Sequence, residues 1–325
     1  MRHTSYGCVT VLYGYPDSKF PRCTSLLVAG KYPALIDPGA GVEVLGHLAS
    51  RVATLLNTHC HYDHLRYNYL FRHAELLTNP QEFKRTNSLE DLAGVLGVDR
   101  YFGPGAARSW ARRAALGSLP PSPFSSAGRY EWGLSTGWAS GEYPMDVEFS
   151  LGDTTVIMVH APGHSAGFCC PYFPREGVVY TADFDLTAFG PWYATADGDP
   201  EEFAASARRI AGIDAKVFVT GHQEGAVGAA EFRRRLKGYL SVIDQRDDKV
   251  IRFLEDGLGP EEMACRGLVY ALKYQERDPW VRMYERLMID RHLERVARLR
   301  PDLLSQDALA RMLKSHGDHG SNPWL

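Results

Sequence analysis

Four times along the chain a short apolar run ends in a histidine or an aspartate. ATLLNT (53–58) leads to His59, TTVIMVHAPG (154–163) to His164, VVYTA (178–182) to Asp183 and VFVTG (217–221) to His222. Runs of this length, bounded by turn residues, read as strands buried on both faces. Open α/β sheets gather their sites in the loops at such strand ends. The pattern therefore calls for an α/β protein whose chemistry sits along one sheet edge.

The first of these ends is the densest. NTHCHYDH (57–64) sets His59, His61, Asp63 and His64 within six residues. A lone histidine is more often a structural group than a ligand, but a cluster of this composition is not readily explained that way. Alternate residues leaving a strand face the same way, so His59 and His61 can share one ion. Asp63 and His64, where the chain turns into a helix, face a second position. His164, Asp183 and His222 bring the ligands to seven, enough for two ions that keep open coordination positions. Imidazole and carboxylate without thiolate suit Zn(II), and also Fe or Mn. Two divalent transition-metal ions, zinc foremost, are the expected cofactors.

Between these points the chain alternates strands and helices. A β-rich start (8–15, 24–30, 34–39) gives way to a helix at 42–50, the strand 53–58, a helix at 65–73 and a strand at 74–79. Strands resume at 147–152, 154–163, 167–174 and 177–184, followed by a helix at 201–212 and a strand at 215–221. Residues 86–145 are weakly periodic and carry Tyr101, Phe102, Trp110, Phe124, Tyr130, Trp132, Trp138 and Tyr143. A stretch of that kind reads as an inserted lid or a structured surface insertion. From Ala229 the spacing of Phe232, Leu236, Tyr239, Leu240 and Ile243 is helical, and Asp278-Pro279 opens a later helix. The expected organisation is a catalytic domain over 1–228 and a helical lobe with a loose tail, holding His316 and His319, over 229–325.

Composition narrows the function classes. With 36 Lys+Arg against 39 Asp+Glu the net charge is −3, without the basic excess of a dedicated nucleic-acid binder. No apolar run reaches the length of a membrane span, and MRHTSYGCVTVLYGYPDSK lacks the parts of a signal peptide. The six cysteines form no CxxC pair, which suits a reduced, cytoplasmic protein. Cys60, between two ligands, should point away from them. His160 reads as structural, and His47, His73 and His292 read as ordinary helix residues.

The combination H-x-H-x-D-H (59–64), PGHS (162–165), the aspartate after a strand at 183 and GH (221–222), preceded by LIDPG (35–39), resembles the metallo-β-lactamase superfamily over about residues 7–225. The resemblance implies an α/β fold, the αβ/βα sandwich, here with a small C-terminal helical lobe that is similar to winged-helix-like tails of some members. It also implies that His59, His61 and His164 hold the first metal, that Asp63, His64 and His222 hold the second, and that Asp183 bridges them. Asp37 would support the ligands from behind.

The implied reaction is hydrolysis of a small ester, thioester or lactone by a metal-bridging hydroxide, with Asp63 orienting the hydroxide. FGPWYA (189–194) follows Asp183 closely, so Phe189, Trp192 and Tyr193 are expected to wall the pocket. Tyr193 is the candidate hydrogen-bond donor to a tetrahedral intermediate. A metal-dependent phosphodiesterase or endoribonuclease is the alternative, because the lobe carries Arg233, Arg234, Arg235, Lys237, Arg291, Arg295, Arg298 and Arg300. An iron-dependent sulfur dioxygenase ranks below both. Members resembling flavin-dependent di-iron oxygen reductases usually carry Glu where this chain has His61. The short link from Asp183 to His222 leaves no room for a β-CASP-type insertion. The expected partners are a small acyl substrate and, for self-association, a second copy in a homodimer; no membrane is expected, and nucleic acid is the less favoured partner.

Overall fold

Every second residue of the inner strands packs into one core, and the residues between pack into another. Ile36 and Leu56 belong to the main buried cluster, whereas their neighbours Leu35 and Leu55 join a second cluster with Val44, Leu45, Leu48 and Phe71. This two-residue alternation is what a sheet covered on both faces requires. In the computed structural model, which describes residues 2–119 and 136–314, two such sheets lie face to face.

The first sheet runs in chain order: β1 His3–Tyr6, β2 Val9–Leu12, β3 Ser25–Val28, β4 Ala34–Ile36, β5 Thr54–Leu56, β6 Glu75–Thr78 and β7 Gly141–Glu142. Its first four strands are antiparallel; from β4 onward pairing is parallel. The second sheet comprises β8 Glu148–Ser150, β9 Thr155–His160, β10 Cys169–Phe173, β11 Val178–Ala182, β12 Val217–Thr220 and β13 Ala226–Gly228. Here only β11 and β12 pair in parallel. Val9, Val11, Leu26 and Val28 of the first sheet meet Val156, Met158, Val178, Tyr180 and Phe218 of the second in the main core.

Helices cover the outer faces. Among the described residues these begin with α1 Val42–Leu45, α2 Tyr62–Leu65, α3 Pro80–Asn87, α4 Leu89–Val95, α5 Val98–Phe102 and α6 Ala106–Ala115. They continue with α7 Pro200–Ala211, α8 Ala229–Glu255, α9 Pro260–Arg266, α10 Leu272–Gln275, α11 Pro279–Leu299 and α12 Gln306–Lys314. The expected αβ/βα sandwich is present. Phe232 of α8 stacks on Phe218 of β12 with centroids 4.5 Å apart, so the lobe's first helix shares the sandwich core. From Ala229 on, the described residues form five helices and no strand. None of the described helices is long and apolar enough to cross a membrane.

The expected helix at 65–73 is replaced by α2 and a 3₁₀ turn at Asn68–Phe71. The stretch 86–145, read as an inserted lid or a structured surface insertion, opens in its described part with the end of α3 and then α4, α5 and α6. These helices are short, stop at glycines such as Gly97 and Gly103, and bury alanines as much as large side chains, so no long apolar stripe appears. Trp110 is fully buried, edge-on to Trp280 of α11 at 5.8 Å. Phe124, Tyr130, Trp132, His316 and His319 lie outside the described residues.

Candidate metal centre

The strand ends deliver their polar residues to one edge between the sheets. Chain after β5 supplies His59 and His61, the first turn of α2 supplies Asp63 and His64, the loop after β9 supplies His164, and the ends of β11 and β12 supply Asp183 and His222. Ala182, just before Asp183, has a φ of 42°, and the β11–β12 register shifts between Tyr180 and Ala182. Such a bulge re-aims the next side chain.

The ligands form two groups. His59, His61, His164 and Asp183 make the first; Asp63, His64 and His222 make the second. In the first, His164 Nε2 lies 2.7 Å from His61 Nδ1, 3.2 Å from His59 Nε2 and 2.7 Å from Asp183 Oδ2. In the second, His222 Nε2 lies 3.0 Å from Asp63 Oδ2. The other oxygen of Asp183, Oδ1, is 2.9 Å from His64 Nε2 and 3.4 Å from His222 Nε2. Asp183 thus touches both groups, one oxygen to each.

Whether these residues fit metal ions is decided by where the outer nitrogens go. His164 Nδ1 faces the Trp192 carbonyl at 2.8 Å, and His222 Nδ1 faces the carbonyls of Ser18 and Arg22 at 3.0 and 3.1 Å. His64 Nδ1 lies 2.6 Å from Asp37 Oδ2, and His59 Nδ1 lies 2.9 Å from the Thr58 hydroxyl, which itself donates to Asp37. Acceptors on the outside place the imidazole protons there, leaving the inner nitrogens with lone pairs aimed at one another. Crowded lone pairs and carboxylate oxygens, almost all buried, are the donor set of a cation. His61 turns Nδ1 inward, and its buried Nε2 has no hydrogen-bond partner among the described residues. The residues fit two ions.

Electrostatics agree with shared negative charge at the centre. Burial alone would raise Asp63 and Asp183, yet the surrounding imidazoles, His64 foremost, hold Asp63 below and Asp183 well below the usual carboxylate range. Cys60 is fully buried beside Leu65, Leu92 and Leu96, and burial pushes its thiol well up, so it is an inert packing group. Asp37 accepts from the Thr58 N–H at 2.8 Å as well as holding His64. It supports the ligands without joining either group.

Tyr193 does not take the expected place. Its side chain is fully buried, with the hydroxyl 2.8 Å from His292 Nε2 and 3.3 Å from Arg246 Nη1. The hydroxyl is engaged by the C-terminal lobe and is not available to a tetrahedral intermediate. Of the three aromatics expected there, Trp192 reaches the site, edge-on to His61 at 5.2 Å and 5.5 Å from His164. Phe189, 39% exposed, packs at 5.2 Å on Tyr270. Tyr270 and Tyr284 of the lobe, both in contact with Trp192, extend this wall. Nothing in their local sequence signals that role, since it arises from how a loop residue, Tyr270, and a helix residue, Tyr284, of the distant C-terminal region dock. His292 lies on α11 and is fully buried between Tyr193 and Asp247.

Residues 141–222 match the profile of the metallo-beta-lactamase superfamily. A search of curated proteins returned no match. Among solved structures, the chain is similar to a metallo-beta-lactamase family protein from Thermus thermophilus, at 20% identity and a TM-score of 0.64, over 90% of this chain and 94% of that one. It is also similar to a beta-lactamase domain protein from Burkholderia ambifaria, at 16% identity and a TM-score of 0.61, over 92% and 89% of the two chains. A third likeness, at 13% identity and a TM-score of 0.54, is to a stereoselective inverting sec-alkylsulfatase from Pseudomonas sp., over 89% of this chain but 49% of that one. These structures share the fold of this chain, and residues 141–222 carry the likeness to the metallo-β-lactamase superfamily profile. The chain presents the two groups of histidine and aspartate side chains that a metal-dependent hydrolase needs.

Proposed function

We propose that the protein is a binuclear hydrolase of a small ester, thioester or lactone, with zinc as the metal at both groups. The observation that carries this reading is Asp183, whose Oδ2 belongs to the first group while its Oδ1 lies 2.9 Å from His64 of the second. When bound, two such ions lower the pKa of water and stabilise oxyanion charge. The chain's own residues do the rest. Asp63, beside His222, is the carboxylate placed to orient the attacking water and take its proton. His64, backed by Asp37, and His164, backed by the Trp192 carbonyl, keep fixed ring orientations. The edge of Trp192, with Phe189, Tyr270 and Tyr284 beyond it, offers an apolar surface for an acyl or alcohol portion.

The state of the lobe's basic residues supports an acyl substrate over a nucleic acid. Arg234, Arg235, Arg295, Arg298 and Arg300 are paired with carboxylates, and Arg233 and Arg291 are engaged by backbone carbonyls. The six free cysteines fit the cytoplasmic assignment. The test is metal analysis of the purified chain together with a panel of thioesters, lactones, alkyl sulfate esters, phosphodiesters and RNA. Two ions per chain and acyl-ester turnover lost in His59→Ala and Asp183→Ala are expected. A single iron with oxygen consumption on a persulfide, or cleavage confined to RNA, would overturn the reading.

A further inference from the structure

Residues 189–196 form a strap between the first metal group and the C-terminal lobe, and both sides grip it. On the metal side, His164 Nδ1 donates to the Trp192 carbonyl at 2.8 Å, and the Thr195 hydroxyl donates to the His164 carbonyl at 3.1 Å. On the lobe side, Arg246 of α8 donates to the carbonyls of Phe189 and Pro191 at 2.8 and 2.5 Å. Arg291 of α11 donates to the carbonyls of Thr195, at 3.1 Å, and Ala196. The Trp192 indole donates to the Tyr270 hydroxyl at 2.8 Å.

At the middle of the strap, the Tyr193 hydroxyl meets His292 Nε2 at 2.8 Å, and His292 Nδ1 meets Asp247 Oδ1 at 2.7 Å. Burial holds His292 below the usual imidazole range, so the neutral ring donates to Asp247 and accepts from Tyr193. Tyr193 and His292 are fully buried, and Arg246 and Asp247 nearly so. Removing such groups from water is costly unless their geometry is used. Here the geometry fixes the residue next to the one whose carbonyl orients a metal ligand.

We propose that the lobe sets the orientation of His164 through this strap, with His292 and Tyr193 as positioning residues for the first metal group. The proposal rests on the seven histidines and aspartates binding metal but not on any substrate. Outer partners of metal-bound histidines change affinity about 10–100-fold when removed.

The experiment is zinc competition against a chelator in the full chain and in a His222→Ala background, where the second group lacks a ligand and the remaining ion reports on the first. Tyr193→Phe and His292→Phe, each a step removed from the Trp192 carbonyl that contacts His164, are expected to weaken that ion's binding by about 10-fold, the lower end of the range for direct outer partners. His292→Gln, which keeps an acceptor for Tyr193, is expected to recover most of it. Met263→Ala, in the separate lobe cluster with Val250 and Ile289, serves as the folding control: it should lower the melting temperature and leave zinc affinity unchanged. If the strap variants behave like Met263→Ala, the network is only structural and the proposal falls. An unsubstituted chain that binds no zinc would overturn both this proposal and the binuclear reading. Two ions bound with full affinity in the strap variants would overturn the proposal alone.

Discussion

Asp37 Oδ2 lies 2.6 Å from His64 Nδ1, and both side chains are fully buried. The same carboxylate accepts from the backbone and hydroxyl of Thr58, so one residue fixes a ligand of the second group and the chain leading into the first. In Asp37→Ala, the second group is expected to lose metal affinity by about 10–100-fold. Each buried donor left without a partner adds about 1–3 kcal/mol of destabilisation. Chelator competition and denaturant unfolding of the metal-free protein measure the two effects separately.

Asp183→Asn keeps the shape but removes the charge shared by the two groups. Losing several kcal/mol of charge stabilisation corresponds to a turnover lower by about a thousandfold, at 1.36 kcal/mol per tenfold. The variant is expected to carry less than two ions per chain after dialysis. Full occupancy with full turnover would remove Asp183 from its bridging role.

Metal loading should depend on pH unequally. In the metal-free chain, burial holds His59 and His61 below the usual imidazole range, so both are neutral at neutral pH. Burial acts the same way on His64 and His222, but the anionic groups around them outweigh it and lift both well above that range. A raised pKa means a proton that the metal must displace, so affinity at the second group falls as pH is lowered. Stepwise acidification from about pH 8 to about pH 6 is expected to empty the second group before the first, read by metal content at each step. Simultaneous loss would contradict the assignment.

Gly163, next to His164, has a φ of 119°, and a Cβ there would lie 2.0 Å from the backbone nitrogen of Phe203. Neither the conformation nor the space tolerates a side chain. Gly163→Ala is expected to cost about 3 kcal/mol or more, from backbone strain and forced displacement of α7 together. Urea unfolding measures it, and an unchanged midpoint would show that the loop gives way freely.

The residues of the two groups were legible because His59, His164, Asp183 and His222 each follow a run of strand-forming residues, while Asp63 and His64 share one short motif with His59 and His61. Asp37 could be read from LIDPG for the same reason. The helices α3–α6 were not, although Asn79-Pro80 and Ser88 are good helix-start signals and both cap as such. In α6, AARSWARRAA, Trp110 is the sole large apolar residue and alanines do much of the burying, so hydrophobic periodicity has little to detect. Tyr193 was misjudged for a different reason. Its nearness to Asp183 in sequence suggested the metal site, but its partner His292 stands 99 residues further on. Local spacing cannot reveal a hydrogen bond that depends on how a distant helix docks.

Asp183 and His222 leave the same ends of β11 and β12, which run parallel. Parallel neighbours cannot be joined by a hairpin, so the chain must depart from the ligand edge and come back through a crossover. Its outbound leg, 184–199, is therefore compelled to start at the mouth of the site before α7 carries it home. The segment that sets Trp192 against His61 and His164 is thus part of the connection that the topology demands. Residues added to that leg would enlarge or narrow the entrance while both ligands stayed anchored to their strands. The length of that crossover is therefore free to vary without moving either strand-end residue.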